Sequence, residues 1–162
     1  MGITHVAQVC LNGHLINETY DQHTGSADNY CFQCGAKTIT ACPNCNTPLR
    51  GYYEVEDLVV LGQETQVESY CYHCGSPYPW TEKALTNAKL IIQEESSIPK
   101  EQRDALIESL PDVIAETPGT SLASVRINKF FANASEFTRD AFKQFVIEFG
   151  CELLLKLIGM RP

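Results

Sequence analysis

At 162 residues the chain is long enough for one ordinary domain or two small ones. Its 44% hydrophobic and 20% charged residues are an ordinary globular composition, and a formal charge of −8 opposes binding to nucleic-acid phosphates. Met1 to Val9 holds neither a basic stretch nor a long apolar run, so no secretory signal is read and a cytoplasmic location is expected.

The first features in chain order are four short knuckles, each offering two metal ligands. They are Cys10-Leu11-Asn12-Gly13-His14, Cys31-Phe32-Gln33-Cys34, Cys42-Pro43-Asn44-Cys45 and Cys71-Tyr72-His73-Cys74. Together they use seven of the eight cysteines. In a reducing compartment such pairs read as metal sites rather than disulfides. The residue after the second cysteine needs a left-handed backbone, which glycine accepts and asparagine tolerates. Gly35, Asn46 and Gly75 occupy those places, and the turn dipeptide Asn12-Gly13 brings His14 back toward Cys10.

A tetrahedral zinc ion takes four such ligands, so four pairs imply two closed structural sites. Combined in sequence order, Cys10, His14, Cys31 and Cys34 form the first site, and Cys42, Cys45, Cys71 and Cys74 the second. His5, His23 and His73 compete with His14 for the fourth place of the first site. His73 lies inside its own knuckle, His5 in an extended segment, and His23 in a loop from which it is able to reach. Two Zn²⁺ with these ligands would take the formal charge from −8 to −11. Residues 1–80 carry only Lys37 and Arg50 against eight carboxylates, so nucleic-acid binding through this half is disfavoured.

Between the knuckles of the second site, Tyr52 to Val55, Leu58 to Leu61 and Thr65 to Tyr70 suggest short strands, with a turn at Gly62. One further strand is expected near Leu15-Ile16. Knuckles at the ends of short antiparallel strands are the pattern of a zinc ribbon, with metal replacing a core too small to hold itself.

At Pro79-Trp80 the pattern changes to helical spacing. Trp80 is expected to pack the two parts together, giving a double ribbon over 1–79 and a helical domain over 80–162. Thr81 suits the cap of a helix with Ala84, Leu85, Ala88, Ile91 and Ile92 on one face. Pro99 and Pro111 suit the starts of two more, and Ala123 to Ala134 forms a fourth. A last helix is read from Ser135 to Ile158, with Glu148, Glu152 and Lys156 as a single polar stripe and Cys151 inside its apolar part. Its wide apolar arc suits a core helix, a homo-oligomer contact or, less favoured, a membrane-surface element. The overall fold class is therefore α+β.

Other chemistry is sparse. No His-Glu-x-x-His or deaminase-type motif occurs, both metal sites are filled by protein ligands, and no enzyme is expected. Cys151 reads as a small core hydrophobe. Arg126, Lys129, Arg139 and Lys143 form the only basic cluster, near a helix start at Thr120-Ser121 that suits an anion; Glu136 and Asp140 among them favour a solvated face.

The motifs Cys10-x-Asn12-Gly13-His14, Cys31-x-x-Cys34-Gly35-Ala36-Lys37-Thr38, Cys42-Pro43-Asn44-Cys45, and Cys74-Gly75 followed by Pro79-Trp80 are similar to those of a family of small bacterial proteins catalogued as a domain of unknown function. The resemblance runs through the C-terminal helices and implies a zinc-ribbon front joined to a helical tail in a bacterial cytoplasm. It implies no activity or substrate. The function expected is a non-enzymatic interaction or adaptor module with a protein partner and a self-associating helical tail. A nucleic-acid-associated ribbon factor, or a helical effector acting by oligomerisation or membrane contact, is the alternative.

Overall fold

A computed structural model describes residues 2–22, 28–56 and 64–160. The chain divides into two compact units, 1–83 and 84–162, and the division falls within one helix. The fold is α+β, with small antiparallel sheets first and six helices after them among the described residues.

In the first unit, β2 (Gln8–Cys10) is the centre of a three-stranded sheet, between β3 (Leu15–Asn17) and β4 (Thr38–Ile39). Val9 faces Leu15 on one side and Ile39 on the other. A central strand is covered on both sides, and all three residues of β2 are buried, Gln8 included. The Gln8 amide is satisfied by the Asp28 carbonyl at 2.8 Å and Thr38 Oγ1 at 3.0 Å. This strand ends on Cys10, so the sheet delivers the first ligand.

The second sheet pairs β1 (Gly2–Val6) with β5 (Arg50–Val55). Tyr52 to Val55 do form a strand, but their partner is the N-terminal segment rather than the residues that follow. Residues 64–68 form no strand, and the expected strand Leu58 to Leu61 and the turn at Gly62 lie outside the described residues. Periodicity marks a strand but cannot choose its partner; here the register is set by long-range pairing, Ile3 opposite Glu54 and Thr4 opposite Tyr53.

Beneath the sheets lies a small apolar cluster of Ala7, Val9, Leu49, Tyr78 and Trp80, joined by Cys42 and Cys71. Trp80 belongs to this ribbon core: it stacks on Tyr78 with 4.7 Å between ring centroids, and its Nε1–H donates to the Glu68 carbonyl at 2.9 Å. The Thr81 hydroxyl donates to the Ser69 carbonyl, so it does not cap the helix. That helix, α1 (Pro79–Glu94), begins at Pro79, whose fixed φ and missing N–H suit a first helical position.

The second unit contains the rest of α1, then α2 (Lys100–Glu108), α3 (Leu110–Ile114), α4 (Thr120–Asn133), α5 (Glu136–Phe149) and α6 (Glu152–Leu157). Ile92, Leu106, Val113, Ile127, Phe142 and Leu154 form the centre of its core. Glu95, at the end of α1, is nearly inaccessible yet ionised. Its oxygens accept from the Ser97 backbone and hydroxyl and from the Ser135 backbone and hydroxyl, at 2.6–3.2 Å. Hydrogen bonds from Ser97 and then Ser135 hold the carboxyl at about 2, below its usual 4.5. One carboxylate thus ties the α1–α2 turn to the start of α5.

The last helix is not continuous. Gly150 and Cys151 are extended, with ψ of 135° and 157°, and the chain restarts as α6. The Cys151 N–H donates to the Val113 carbonyl at 2.8 Å, so this break is anchored on α3. Cys151 is the half-buried N-cap residue of α6, not an internal helical residue. A bend here splits the wide apolar arc into two shorter faces. Phe142, Val146 and Leu154 are fully buried, while Phe137 is 86% exposed. Among the described residues no helix is long and apolar enough to cross a membrane.

Two expected outcomes test this description. Gly150→Ala would raise helix propensity, yet a Cβ at Gly150 would lie 2.4 Å from the Val146 carbonyl oxygen. It is expected to lower stability by about 1–3 kcal/mol in chemical denaturation; stabilisation would restore a continuous helix. Glu95→Gln is expected to cost about 2 kcal/mol, because the amide presents a donor to donors. The folded pKa is depressed, so this carboxylate's contribution is complete above pH 4.5 and lost as pH falls toward 2. Acid titration of the melting temperature should be shallower in the Gln variant across that window.

Candidate metal centres

Three of the knuckles share one backbone design. In each, the N–H of the residue after the second cysteine donates to the carbonyl of the first at 2.8 Å: Gly35 to Cys31, Asn46 to Cys42, Gly75 to Cys71. The first cysteine's own N–H donates five residues onward, to Ala36, Thr47 or Ser76, at 2.8–2.9 Å. Gly35, Asn46 and Gly75 have φ of 69°, 64° and 71°, the left-handed values the turn requires. The first knuckle is tighter in another way: Gly13, at φ 90°, turns the chain so that the Cys10 N–H reaches the His14 carbonyl at 3.0 Å.

These turns bring the side chains into two groups. Ligand atoms of Cys10, His14, Cys31 and Cys34 all lie within 4.8 Å of one another, as do those of Cys42, Cys45, Cys71 and Cys74. His14 Nδ1 is 3.5 Å from both Cys10 Sγ and Cys31 Sγ, and Cys10 Sγ is 3.7 Å from Cys34 Sγ. In the second group Cys42–Cys74 and Cys45–Cys71 are 3.8 and 3.6 Å apart. A disulfide requires about 2.05 Å, so these sulfurs are not bonded. A tetrahedron with metal–sulfur bonds of about 2.3 Å and metal–nitrogen bonds of about 2.0 Å has sulfur–sulfur edges of about 3.8 Å and mixed edges of about 3.5 Å. The observed separations are those edges. Both groups are geometrically suited to a metal ion.

The other histidines lie elsewhere. His5, on β1, is held between Asp21 Oδ2 at 3.0 Å and Glu54 Oε2 at 2.8 Å. The Glu54 hydrogen bond and then that of Asp21 raise its pKa. Neither His5 nor His73 belongs to a cluster. His23 lies outside the described residues.

Within each cluster the thiols differ. Burial pushes Cys42 up to about 11 and also raises Cys10. Toward solvent, the Ala36 N–H lowers Cys34 to about 6, and the Asn44 amide with Ser76 lowers Cys74 to about 5. Without a cation the set would be mixed in protonation, because neighbouring thiolates repel. A divalent ion displaces the remaining protons and neutralises the repulsion.

Two supporting side chains escaped the sequence reading. Asn12 Nδ2 donates to Cys34 Sγ at 3.3 Å, and Asn44 Nδ2 to Cys74 Sγ at 3.5 Å. Each asparagine stands two residues after the first ligand of its site, so the signal was a repeated Cys-x-Asn, Cys10 to Asn12 and Cys42 to Asn44. Lys83 completes the first arrangement by donating to Asn12 Oδ1 at 2.7 Å and to the Leu11 carbonyl at 3.2 Å. Such outer partners orient ligands and partly offset thiolate charge.

A family model described as "Uncharacterized protein conserved in bacteria (DUF2321)" matches residues 3–158. The chain belongs to this family. No curated protein and no solved structure matches it. The match spans the residues of both clusters and of the helices.

Elemental analysis of protein isolated without added metal is expected to give two ions per chain. His14→Ala should reduce this to one while leaving the all-cysteine cluster filled, and His73→Ala should leave two. One ion in the wild type would dismiss one of the two clusters as a metal centre, and two in His14→Ala would dismiss His14 as a required ligand while leaving the three cysteines as the site.

Proposed function

We propose that the protein is a non-enzymatic, zinc-stabilised interaction module of the bacterial cytoplasm, with a protein partner docking on its knuckles. Thiolate-rich tetrahedral sets suit zinc, and iron is the element that competes for an all-cysteine site. Zinc would neutralise the clustered thiolates and cross-link two chain segments at each site. Each cluster supplies four protein ligands, enough to fill a tetrahedron, and this supports a structural rather than catalytic role.

The observation that carries the partner reading is Phe32, which is 82% exposed on the turn between Cys31 and Cys34. A large apolar ring on a turn fixed at both ends by ligands loses little entropy on docking, which is how aromatic anchors gain affinity. Tyr30, 66% exposed, adjoins it. Tyr72, at the equivalent place in the fourth knuckle, is engaged differently: its hydroxyl donates to the Pro48 carbonyl at 3.3 Å and Arg50 lies 3.8 Å above its ring. The same Arg50 pairs with Glu68 at 3.3 Å. One of the two cations of residues 1–80 is thereby committed, which weighs against a nucleic-acid role. Self-association through the last helices has a smaller basis: Phe142, Phe145, Val146 and Leu154 of the apolar arc are buried inside the unit, while Leu157 is 46% exposed.

Affinity capture from a native bacterial lysate, comparing wild type with Phe32→Glu, tests the reading. A protein retained by wild type, lost with Phe32→Glu and resistant to nuclease is the expected result. Equal retention by both, or release by nuclease, would reject it; unchanged metal content in the variant shows that the knuckle itself is intact.

A further inference from the structure

Away from the metal clusters, the second unit holds a cavity of about 160 Å³ lined by Ile98, Gln102, Ala105, Arg126, Lys129 and Phe130. Ile98 precedes α2, Gln102 and Ala105 lie on α2, and the remaining three are on α4. Ile98 and Phe130 are 3% and 4% exposed and make an apolar floor, while Gln102 and Lys129 are exposed at the mouth. Arg126 is between these extremes. Its Nη1 donates to the Ala105 carbonyl at 2.7 Å and to the Ser109 hydroxyl. Those two bonds hold the guanidinium in place and leave its other N–H groups for a further acceptor.

The basic cluster seen in the sequence is divided by the fold. Arg139 Nη1 donates to the Phe131 carbonyl at 3.4 Å, and neither Arg139 nor Lys143 lines the cavity. The start of α4 is taken by the chain itself: Asp112 lies so close to Gly119 that a Cβ there would be 2.5 Å from its Oδ2. Arg126 and Lys129 remain, one helical turn apart. Among the described residues neither pairs with a carboxylate; the ion pairs there are made by His5, Arg50 and Lys156. In a chain with 20 acidic and 12 basic residues, two adjacent cations without an acidic partner beside an apolar floor form a specific chemical combination.

We propose that this cavity binds a small organic monocarboxylate with an aromatic or branched-alkyl tail. The carboxylate meets Arg126 and Lys129, and the tail lies against Ile98, Ala105 and Phe130. A guanidinium already fixed by two bonds loses little freedom on pairing with a carboxylate, and Arg126 is only partly exposed to water. An apolar cavity of about 150 Å³ accommodates a benzene-sized ring, which sets the scale of the tail. An inorganic anion would use the cations and leave the floor unoccupied, so the floor selects for the organic tail.

Heteronuclear NMR titration of the full chain with phenylacetate is the direct test, beside 2-phenylacetamide as the neutral analogue and acetate as the tailless one. Saturable shifts centred on Ile98, Ala105, Lys129 and Phe130 are expected with phenylacetate, and binding at least about tenfold weaker for the other two. Lys129→Gln, at an exposed position, should weaken phenylacetate several-fold with unchanged melting temperature. Ala105→Leu should abolish binding by filling the floor, its near-ultraviolet dichroism confirming that the fold is retained. Tighter binding of N-acetylphenylalanine than of phenylacetate would assign the same carboxylate-and-ring chemistry to a peptide C-terminus rather than a free acid. Equal affinity for phenylacetate and its amide, shifts centred elsewhere, or no saturation at millimolar concentration would overturn the proposal.

Discussion

The first unit depends on the packing of seven cysteine sulfurs and one imidazole into two tetrahedral groups. Sulfur atoms held 3.6–3.8 Å apart are too far for a disulfide and too close to be ionised together without a cation. The rest of the unit is arranged around that requirement. β2 ends on Cys10, left-handed residues close the knuckles, and asparagine amides approach the outermost sulfurs. Only a small apolar cluster lies beneath, and two of its members are the ligands Cys42 and Cys71. Hydrophobic burial and metal coordination therefore share the same residues, and a unit of this size has little else with which to offset chain entropy.

The helical unit solves a different problem. Three of its helices, α2, α3 and α6, are short, and much of its order comes from what happens between the helices. Glu95 satisfies four donors from two separate turns, and the Cys151 N–H fastens the α5–α6 break to α3. Breaking the last helix lets both of its halves turn apolar residues inward, so Phe142 and Leu154 are both fully buried.

Charge is distributed with similar economy. The chain is strongly acidic, and bound zinc would make it more so, yet its few cations have defined tasks. Arg50 covers Tyr72 and pairs with Glu68, Lys83 supports Asn12 beside the first cluster, and Arg139 meets a carbonyl of α4. Against this background Phe32 stands out as an exposed ring on a braced turn, and Arg126 with Lys129 as cations facing an apolar cavity. As proposed, the first would meet a protein surface and the second a small organic anion.

Local chemistry was legible in the sequence because it is short-range. A knuckle is a turn of five or six residues, and its cysteine spacing with Gly35, Asn46 or Gly75 states the geometry completely. Helix starts at Pro99 and Pro111 were visible for the same reason, as was the α+β class. Asn12 and Asn44 left a repeat that pointed to their role, but only the approach of Cys34 and Cys74 across more than twenty residues gives it meaning. Tertiary structure alone decided that Tyr52 to Val55 pair with the N-terminal strand, because a strand's periodicity carries no information about its partner. It also decided the break at Gly150. The apolar residues from Phe142 to Ile158 keep helical spacing across it, and what anchors the break is a carbonyl of Val113 at 2.8 Å, donated to by Cys151 from nearly forty residues away.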